Sequence, residues 1–283
     1  MTQASPVEIT PVILTLNEAP NIGRTLEQLR WARDIVVVDS LSDDETVEIA
    51  KGFPQVRVFQ RQFDTHGVQW NFGLNETAIS TEWVLALDAD FVLSPELMDE
   101  IASLKPSAKT AGYRANFTYC INGHPLRSGL LRAQVVLYRR SSAKYIQDGH
   151  TQRLVLDGQV ETLRSKILHD DRKPLTRWFQ SQQRYMALEA KKLLAAEGTE
   201  LSRADRLRRL RVIAPLAVLF YCLIVRGGVL DGRAGFYYAF QRMFAELLLS
   251  LYLIEHDFNA TLEPRRRKEI PSSEELAVSN KQQ

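Results

Sequence analysis

The chain has 283 residues, of which 45% are hydrophobic and 25% are charged. These proportions exclude a wholly disordered, collagen-like or coiled-coil chain, and the length predicts one main domain with a sizeable further part. The net charge of +2 does not predict general affinity for nucleic acid, but residues 162–233 alone carry 15 basic and 7 acidic side chains.

Residues 9–104 alternate between short β-branched runs and segments with helical periodicity. This alternation is typical of βαβ units and a parallel sheet. Four strands are predicted, at 12–16, 35–38, 56–59 and 83–87. After the first strand, a helix begins at Pro20 and carries an apolar stripe of Ile22, Leu26 and Leu29. After the second strand, Ser42 and Glu45 have the spacing of a capping box and predict another helix start.

Beyond residue 111 the pattern changes to strands without regular helices, and from about Leu175 onward it is helical. The apolar stretches 212–225 and 244–254 are shorter than the roughly 20 residues of a spanning helix, which favours buried or interfacial helices. We therefore predict an α/β domain with a mostly parallel central sheet over residues 1–170. A helical, basic, membrane-interfacial region follows over 171–262, and then a flexible tail over 263–283.

The strongest chemical signal is the run Leu85–Asp90, an apolar strand that ends in two carboxylates, Asp88 and Asp90. Residues i and i+2 of an extended chain project to the same side, so the two side chains are expected to converge. Ligands of open α/β sheets bind at the carboxyl ends of the strands. Paired carboxylates there predict a site for Mg²⁺ or Mn²⁺, which would take phosphate oxygens as further ligands.

Two more acidic residues follow the first two strands, Glu18 after strand one and Asp39 after strand two. No glycine-rich phosphate loop is present in the sequence, so a nucleotide held through its base and ribose fits better than one held by amide groups alone. The alternative for each residue taken singly is that it caps the helix that follows.

Three segments in this order, 11–18, 35–46 and 83–90, resemble glycosyltransferase family 2. Within the family the likeness is strongest to the lipopolysaccharide core glucosyltransferase type, and beyond the sheet it rests on residues 137–140, 167–169 and 228–232. The resemblance implies a GT-A fold that binds a nucleotide sugar. It implies that Asp39 contacts uracil, and that Asp88 and Asp90 approach the ribose, the metal and the diphosphate. Nucleotide-pocket positions implied in the same way are Thr15, Glu18 and Gln69.

The catalytic base is harder to assign from the sequence. Many relatives show Val-His-Glu where this chain has Gly149, His150 and Thr151, so the residue after His150 is not acidic here. Asp148 becomes the candidate base for the acceptor hydroxyl, the alternative being a turn-forming Asp-Gly pair. His150 is a candidate third metal ligand, against an ordinary polar loop residue, and His169 is interpreted as a core histidine.

These observations predict a metal-dependent inverting glycosyltransferase that moves a sugar from a nucleotide diphosphate donor, most plausibly a UDP-sugar, to a lipid-linked or cell-surface glycan acceptor. Two alternatives stay open: a polyprenyl-phosphate glycosyltransferase, and a non-catalytic nucleotide-sugar-binding scaffold at the membrane. The expected location is the cytoplasmic face of the cell membrane, with arginines 206–211 on anionic headgroups and Leu216, Leu219, Phe220 and Leu223 toward lipid. Nucleic acid is not expected as a partner, and the sequence leaves the oligomeric state undetermined.

Overall fold

A computed structural model of the chain describes residues 7–148, 151–196 and 201–269. Its strands in chain order are β1 (Ile9–Thr15), β2 (Ile35–Asp39), β3 (Val56–Gln60), β4 (Trp83–Asp88), β5 (Phe91–Leu93), β6 (Thr110–Ile121), β7 (His124–Pro125), β8 (Gln134–Arg139), β9 (Ala143–Asp148), β10 (Thr151–Leu156) and β11 (Gln159–His169). Its α-helices are α1 (Ala19–Gln28), α2 (Thr46–Lys51), α3 (His66–Asn75), α4 (Pro95–Ala102), α5 (Leu175–Ala195), α6 (Arg203–Arg208), α7 (Ile213–Phe220) and α8 (Gly232–Glu269). The four strands predicted before residue 88 are confirmed.

The described residues divide into two compact units that are not contiguous in sequence. The first unit contains the residues up to Gln180 and the segment Tyr221–Ala239, and the second contains Ser181–Phe220 and the chain from Phe240 onward. The domain boundaries predicted after residues 170 and 262 stay predictions; the first unit extends to Gln180 and also takes in Tyr221–Ala239.

The main sheet of the first unit has the strand order β3-β2-β1-β4-β8-β6-β11-β5, with β7 paired to β6. Strands β3, β2, β1 and β4 are parallel, but β8 enters antiparallel to both of its neighbours, β4 and β6. Strands β6 and β11 are parallel as well, so four of the seven neighbouring pairs in this order are parallel and three are antiparallel. The prediction of a mostly parallel sheet holds in part, and the sheet is mixed. The physical reason is that the chain between β6 and β8 has no crossover helix, and strands joined by short loops pair antiparallel.

Helix α1 covers one face of this sheet as its periodicity predicts. Ile22, Leu26 and Leu29 are fully buried in one core cluster with strand residues such as Ile13 and Leu85. The capping box predicted at Ser42 and Glu45 is wrong, because α2 begins at Thr46 with no side-chain cap at Glu45. The Ser42 hydroxyl instead donates to Asp39.

The second unit is helical, and its core contains Met186, Leu193, Leu249 and Leu253. Arg208 pairs with the buried Glu246 at 2.8 Å and with Glu189 at 3.3 Å. The neighbouring arginines are engaged as well: Arg209 donates to the carbonyls of Leu193 and Ala196, and Arg211 pairs with Asp257. Arg208 and Arg211 are therefore neutralised by carboxylates of this unit, whereas the carbonyl contacts of Arg209 leave its charge unneutralised and Arg206 is exposed. The predicted headgroup contacts of these arginines stay a prediction.

No single helix within the described ranges is long and apolar enough to cross a bilayer, although one bent pair, Ile213–Val225 with Gly228–Thr261, has the length and composition to do so. On α7, Leu216 and Phe220 are exposed and Leu219 is half-buried, and Leu223, just after α7, is half-buried as well. Residues 263–269, predicted as the start of a flexible tail, belong to helix α8, which continues to Glu269. Residues 270–283 lie outside the described part of the chain.

Candidate active site at the strand ends

The parallel pairing of β1 and β2 places two of the predicted site residues side by side. Thr15 and Asp39 are register partners, and the Thr15 hydroxyl donates to Asp39 Oδ1 at 2.9 Å. Asp39 is fully buried and also accepts from the Ser42 amide at 2.9 Å and from Gln60 Nε2 at 3.2 Å. Its carboxylate is thus fixed by four protein donor groups, two of them from Ser42. The contact between Asp39 and uracil stays a prediction. It would require Ser42 or Gln60 to release its hydrogen bond to the Asp39 carboxylate.

Gln69 connects α3 to the same strand end. Its amide nitrogen donates to the Ser40 hydroxyl at 2.9 Å, and its amide oxygen accepts from Arg61. Gln69 is fully buried, and through these contacts it supports the end of β2.

Asp88 ends β4 and is exposed, whereas Asp90, two residues later, is buried. Asp90 Oδ2 lies 3.4 Å from His169 Nε2. Its other oxygen, Oδ1, is buried without a hydrogen-bond partner among the described residues. A buried carboxylate oxygen that no donor satisfies is costly unless a ligand or cation meets it, so this atom marks the place where a cation fits.

The contact between Asp90 and His169 arises from a long-range strand pairing. Strand β11 runs antiparallel to β5 with His169 opposite Phe91, and the Asp170 amide donates to the Asp90 carbonyl at 3.0 Å. The interpretation of His169 as a satisfied core histidine is therefore wrong. Its Nδ1 is buried without a partner in the described part of the chain, and its ring packs between Tyr119 and Phe91 at centroid distances of 4.8 and 5.7 Å.

A lysine that the sequence analysis did not single out completes the cluster. Lys173 Nζ lies 2.6 Å from Glu18 Oε1 and 3.7 Å from Asp171, and Asn21 donates to the second oxygen of Glu18 at 2.9 Å. The charged run that follows β11 is further held to α1 by an ion pair between Arg24 and Asp170 at 2.9 Å. Charged residues directly after an apolar strand are the signal that could have indicated Lys173.

The charges of this cluster perturb one another. Burial raises the pKa of Glu18 to about 7, and Asp90 adds to the rise while Lys173 and Asn21 oppose it. Asp88 is exposed at the sheet edge, yet desolvation by the surrounding protein and the charge of Asp90 raise its pKa to about 6. Burial opposes the charge of Lys173, but the carboxylates of Glu18, Asp171 and Asp90 together hold its pKa above the usual value. Perturbed acids grouped at a strand end are typical of functional sites.

The donor set suits a divalent cation in part. Carboxylates suit Mg²⁺ and Mn²⁺, and a histidine nitrogen favours Mn²⁺ of the two. Within residues 7–148, 151–196 and 201–269, no group of three or more His, Cys, Asp or Glu side chains is arranged to hold a metal by itself. Asp90 and His169, 3.4 Å apart, therefore offer part of a ligand set, and a cation there would take its remaining ligands from other groups such as phosphate, as Mg²⁺ and Mn²⁺ commonly do.

Two predicted residues cannot be placed in this site. Asp148 is the last residue of β9 and is paired with Thr151 of β10, but its side chain is outside what the structure describes. His150 lies outside the described residues altogether. Their assignments as base and metal ligand stay predictions.

Residues 10–116 match the family model described as glycosyl transferase family 2. An uncharacterized glycosyltransferase of Rickettsia bellii is 34% identical over 116 residues, which are 41% of this chain and 38% of that protein. One of Rickettsia prowazekii is 35% identical over 109 residues, 38% of this chain and 36% of that protein. The chain thus matches less than half the length of these curated relatives.

Among solved structures, a mannosyltransferase of Pyrobaculum calidifontis in complex with GDP-Man and Mn²⁺ is similar over 88% of this chain and 89% of that chain, with a TM-score of 0.50 and 12% identity. At that identity the likeness concerns the fold, which is the α/β fold of the GT-A type. The matches to family and relatives support a glycosyltransferase.

Proposed function

We propose that this chain, with its family 2 glycosyltransferase segment at residues 10–116, is a metal-dependent inverting enzyme that transfers a sugar from a nucleoside diphosphate donor to a lipid-linked or cell-surface glycan acceptor. The observation that carries the proposal is the convergence of acidic, imidazole and lysine side chains at one edge of the sheet. They come from three separate segments of the chain, and the members are Glu18, Asp88, Asp90, His169 and Lys173. The lipopolysaccharide core type is the proposed subgroup.

The donor would lie along the ends of β1, β2 and β4, with its base toward Thr15 and Asp39. Its diphosphate would lie near Asp88 and Lys173, where the ammonium group offsets phosphate charge. We propose UDP as the nucleotide. The Pyrobaculum structure was solved with GDP-Man, so a guanosine donor is the alternative to be tested.

A divalent cation, Mg²⁺ or Mn²⁺, would be held by Asp90, His169 and Asp88, and when bound it offsets the negative charge that grows on the departing diphosphate. The residues of the chain orient these ligands. Tyr119 stacks on the His169 ring at 25° between planes, and it takes the place of the hydrogen bond that usually fixes a ligating histidine.

Replacing Tyr119 with Leu is therefore expected to weaken Mn²⁺ affinity by about 10- to 100-fold, the usual effect of losing a group that orients a metal ligand. Tyr119→Phe keeps the ring and should remain close to wild type. Titration of Mn²⁺ followed by electron paramagnetic resonance measures this affinity without turnover. Equal affinity in all three proteins would show that stacking does not position His169.

The pH dependence of metal binding follows from Asp88. A carboxylate must lose its proton to bind a cation, and the pKa of Asp88 is raised from 3.8 to about 6. We expect Mn²⁺ affinity to fall as the pH drops through about 6, by up to about tenfold per pH unit, whereas an unperturbed Asp would stay ionised down to about pH 4. The same resonance titration at several pH values checks this, and an affinity unchanged between about pH 7 and pH 5 would contradict it.

The proposed function is tested by mixing the full chain with a panel of UDP- and GDP-sugars and measuring release of the nucleoside diphosphate and transfer to lipid extracts. Metal-dependent release is expected with one donor and separates an enzyme from a binding scaffold. Label in a mild-acid-labile lipid would identify polyprenyl phosphate as the acceptor. Absence of release with every donor, with and without metal, would refute the proposal.

We propose the cytoplasmic face of the cell membrane as the location, with peripheral attachment. The exposed Leu216 and Phe220 of α7 support it, and so does the apolar character of α7 as a whole. Arg208 and Arg211 before α7 do not, because carboxylates of the second unit neutralise them. The positive charge that such attachment needs must come from elsewhere in the chain.

A further inference from the structure

The segment Tyr221–Ala239 belongs to the first unit, the one that contains the candidate active site, and it exposes an apolar surface. Leu230 is 71% exposed and Val225 is 60% exposed. We call this the docking surface, and its apolar members are Ile224, Val225, Val229, Leu230, Phe236 and Tyr237. Exposed apolar groups packed so closely along one segment are typical of an interaction site.

The charges around the docking surface are of one sign. Arg226 and Arg233 are exposed within the segment, and Arg127 is exposed beside it. Arg226 donates to the carbonyls of Arg127 and Gly129, so these contacts leave its positive charge unneutralised. The segment contains one acidic residue, Asp231, whose side chain is 5% exposed and accepts from the amides of Arg127 and Ser128 at 2.9 and 3.2 Å. Asp231 also lies 3.9 Å from the Arg127 guanidinium, which is itself 66% exposed, so the exposed charges here are those of the arginines.

The docking surface is joined to the candidate site by direct contacts within the first unit. The loop that Asp231 and Arg226 hold contains Gly129, which packs so closely on Tyr119 that a Cβ at position 129 would lie 2.8 Å from the Tyr119 Cβ. Tyr238 accepts from the amide of the adjacent Leu130 at 3.0 Å, and its ring lies 4.7 Å from that of Tyr119. Tyr119 in turn stacks on His169, the neighbour of Asp90.

We infer that the docking surface binds an anionic phospholipid bilayer and holds the candidate active site against it. An apolar patch rimmed by arginines matches the acyl boundary and the phosphate headgroups of such a bilayer. The turn Val229–Leu230 would enter the headgroup region, and Arg127, Arg226 and Arg233 would contact phosphates. The inference rests on the proposed function in one respect: an active site held against the bilayer is useful if the acceptor is carried by a lipid.

The experiment is sedimentation of the full chain with vesicles of phosphatidylglycerol and phosphatidylethanolamine, compared with vesicles of phosphatidylcholine alone. We expect pelleting with the anionic vesicles, and release when salt is raised from about 0.1 M to about 0.5 M, because screening weakens the arginine contacts. Leu230→Glu should lower the partition coefficient at least about tenfold, and Arg233→Gln about fivefold. The matched control is Trp31→Glu, which places the same carboxylate at an exposed apolar position of the first unit and should bind as wild type does.

Several outcomes would overturn the inference. They are unchanged pelleting of Leu230→Glu, equal loss by Trp31→Glu, or pelleting that persists at high salt, which would indicate insertion of the bent helix pair. A wild-type dimer that Leu230→Glu converts to a monomer, with no vesicle binding by either, would assign the docking surface to a second copy of the chain.

Nucleotide binding by the same proteins in the absence of vesicles keeps the two claims separate. Leu230→Glu should bind UDP or GDP as wild type does, which also shows that the variant is folded. Vesicle binding without binding of any nucleotide would support the docking surface and refute the proposed function. Nucleotide binding without vesicle binding would refute the docking surface alone.

Discussion

Asp90→Asn is expected to lower turnover by on the order of 10³-fold and to remove the metal dependence of donor binding, because a lost cation contact forfeits several kcal/mol of charge stabilisation and each ~1.4 kcal/mol is a factor of ten. Asp90 is the residue whose buried Oδ1 lacks a partner among the described residues and whose Oδ2 faces His169. Asparagine keeps the shape but not the charge. Turnover of the best donor from the panel, with and without Mn²⁺, measures the effect.

The folded state should tolerate this change. The charge of Asp90 raises the pKa values of both Glu18 and Asp88, so its removal relieves repulsion at the site. The melting temperature of Asp90→Asn without metal should therefore equal or exceed that of wild type. Asp99→Asn, at an exposed position of α4 in the same unit, is the matched control and should keep full turnover. If Asp90→Asn kept wild-type turnover, Asp90 would have no role in the proposed active site.

Asp148→Asn is expected to lower turnover by about 10²-fold or more while donor affinity stays nearly unchanged, since a general base acts on the acceptor hydroxyl and not on the donor. The expectation derives from the sequence, where Thr151 stands in place of an acidic residue and Asp148 is the acid nearest to it. The backbone pairs these two residues across β9 and β10. Turnover and calorimetric donor affinity, measured on the same preparation, check both parts.

Asp157→Asn is the control for this substitution, because Asp157 is exposed in the turn after β10 and should be dispensable. A loss of donor affinity in Asp148→Asn would move Asp148 to the metal or the diphosphate. Retained turnover would assign the base to another group.

The sequence predicted the half of the candidate site that lies at the ends of three parallel strands, and the roles of its residues stay predictions. Strands β1, β2 and β4 are marked by short apolar runs, and their carboxyl ends meet at one edge because parallel strands share direction. Asp39, Asp88 and Asp90 could therefore be placed from local pattern alone. The Ser42 interpretation failed because a hydroxyl that can cap a helix can equally donate to a nearby carboxylate, and the sequence does not show that Asp39 is buried beside it.

The other half depends on pairing between distant segments. His169 meets Asp90 only because β11 pairs with β5, and Lys173 meets Glu18 because the chain then returns to α1. No local periodicity encodes these contacts, and a histidine after an apolar run has the same appearance in a core as in a site. The basic run before α7 shows the converse. It resembles a headgroup-binding surface in the sequence, yet Arg208 and Arg211 pair with Glu246 and Asp257 of α8.

The central claim is that the strand ends form one site for a nucleoside diphosphate and a divalent cation. Isothermal titration of UDP and of GDP into the full chain, with and without Mn²⁺, tests it most directly. We predict that one of the two binds at least about tenfold more tightly with Mn²⁺ and that Asp90→Asn abolishes this difference. Failure of both nucleotides to bind under either condition, or a metal effect that persists in Asp90→Asn, would contradict the claim.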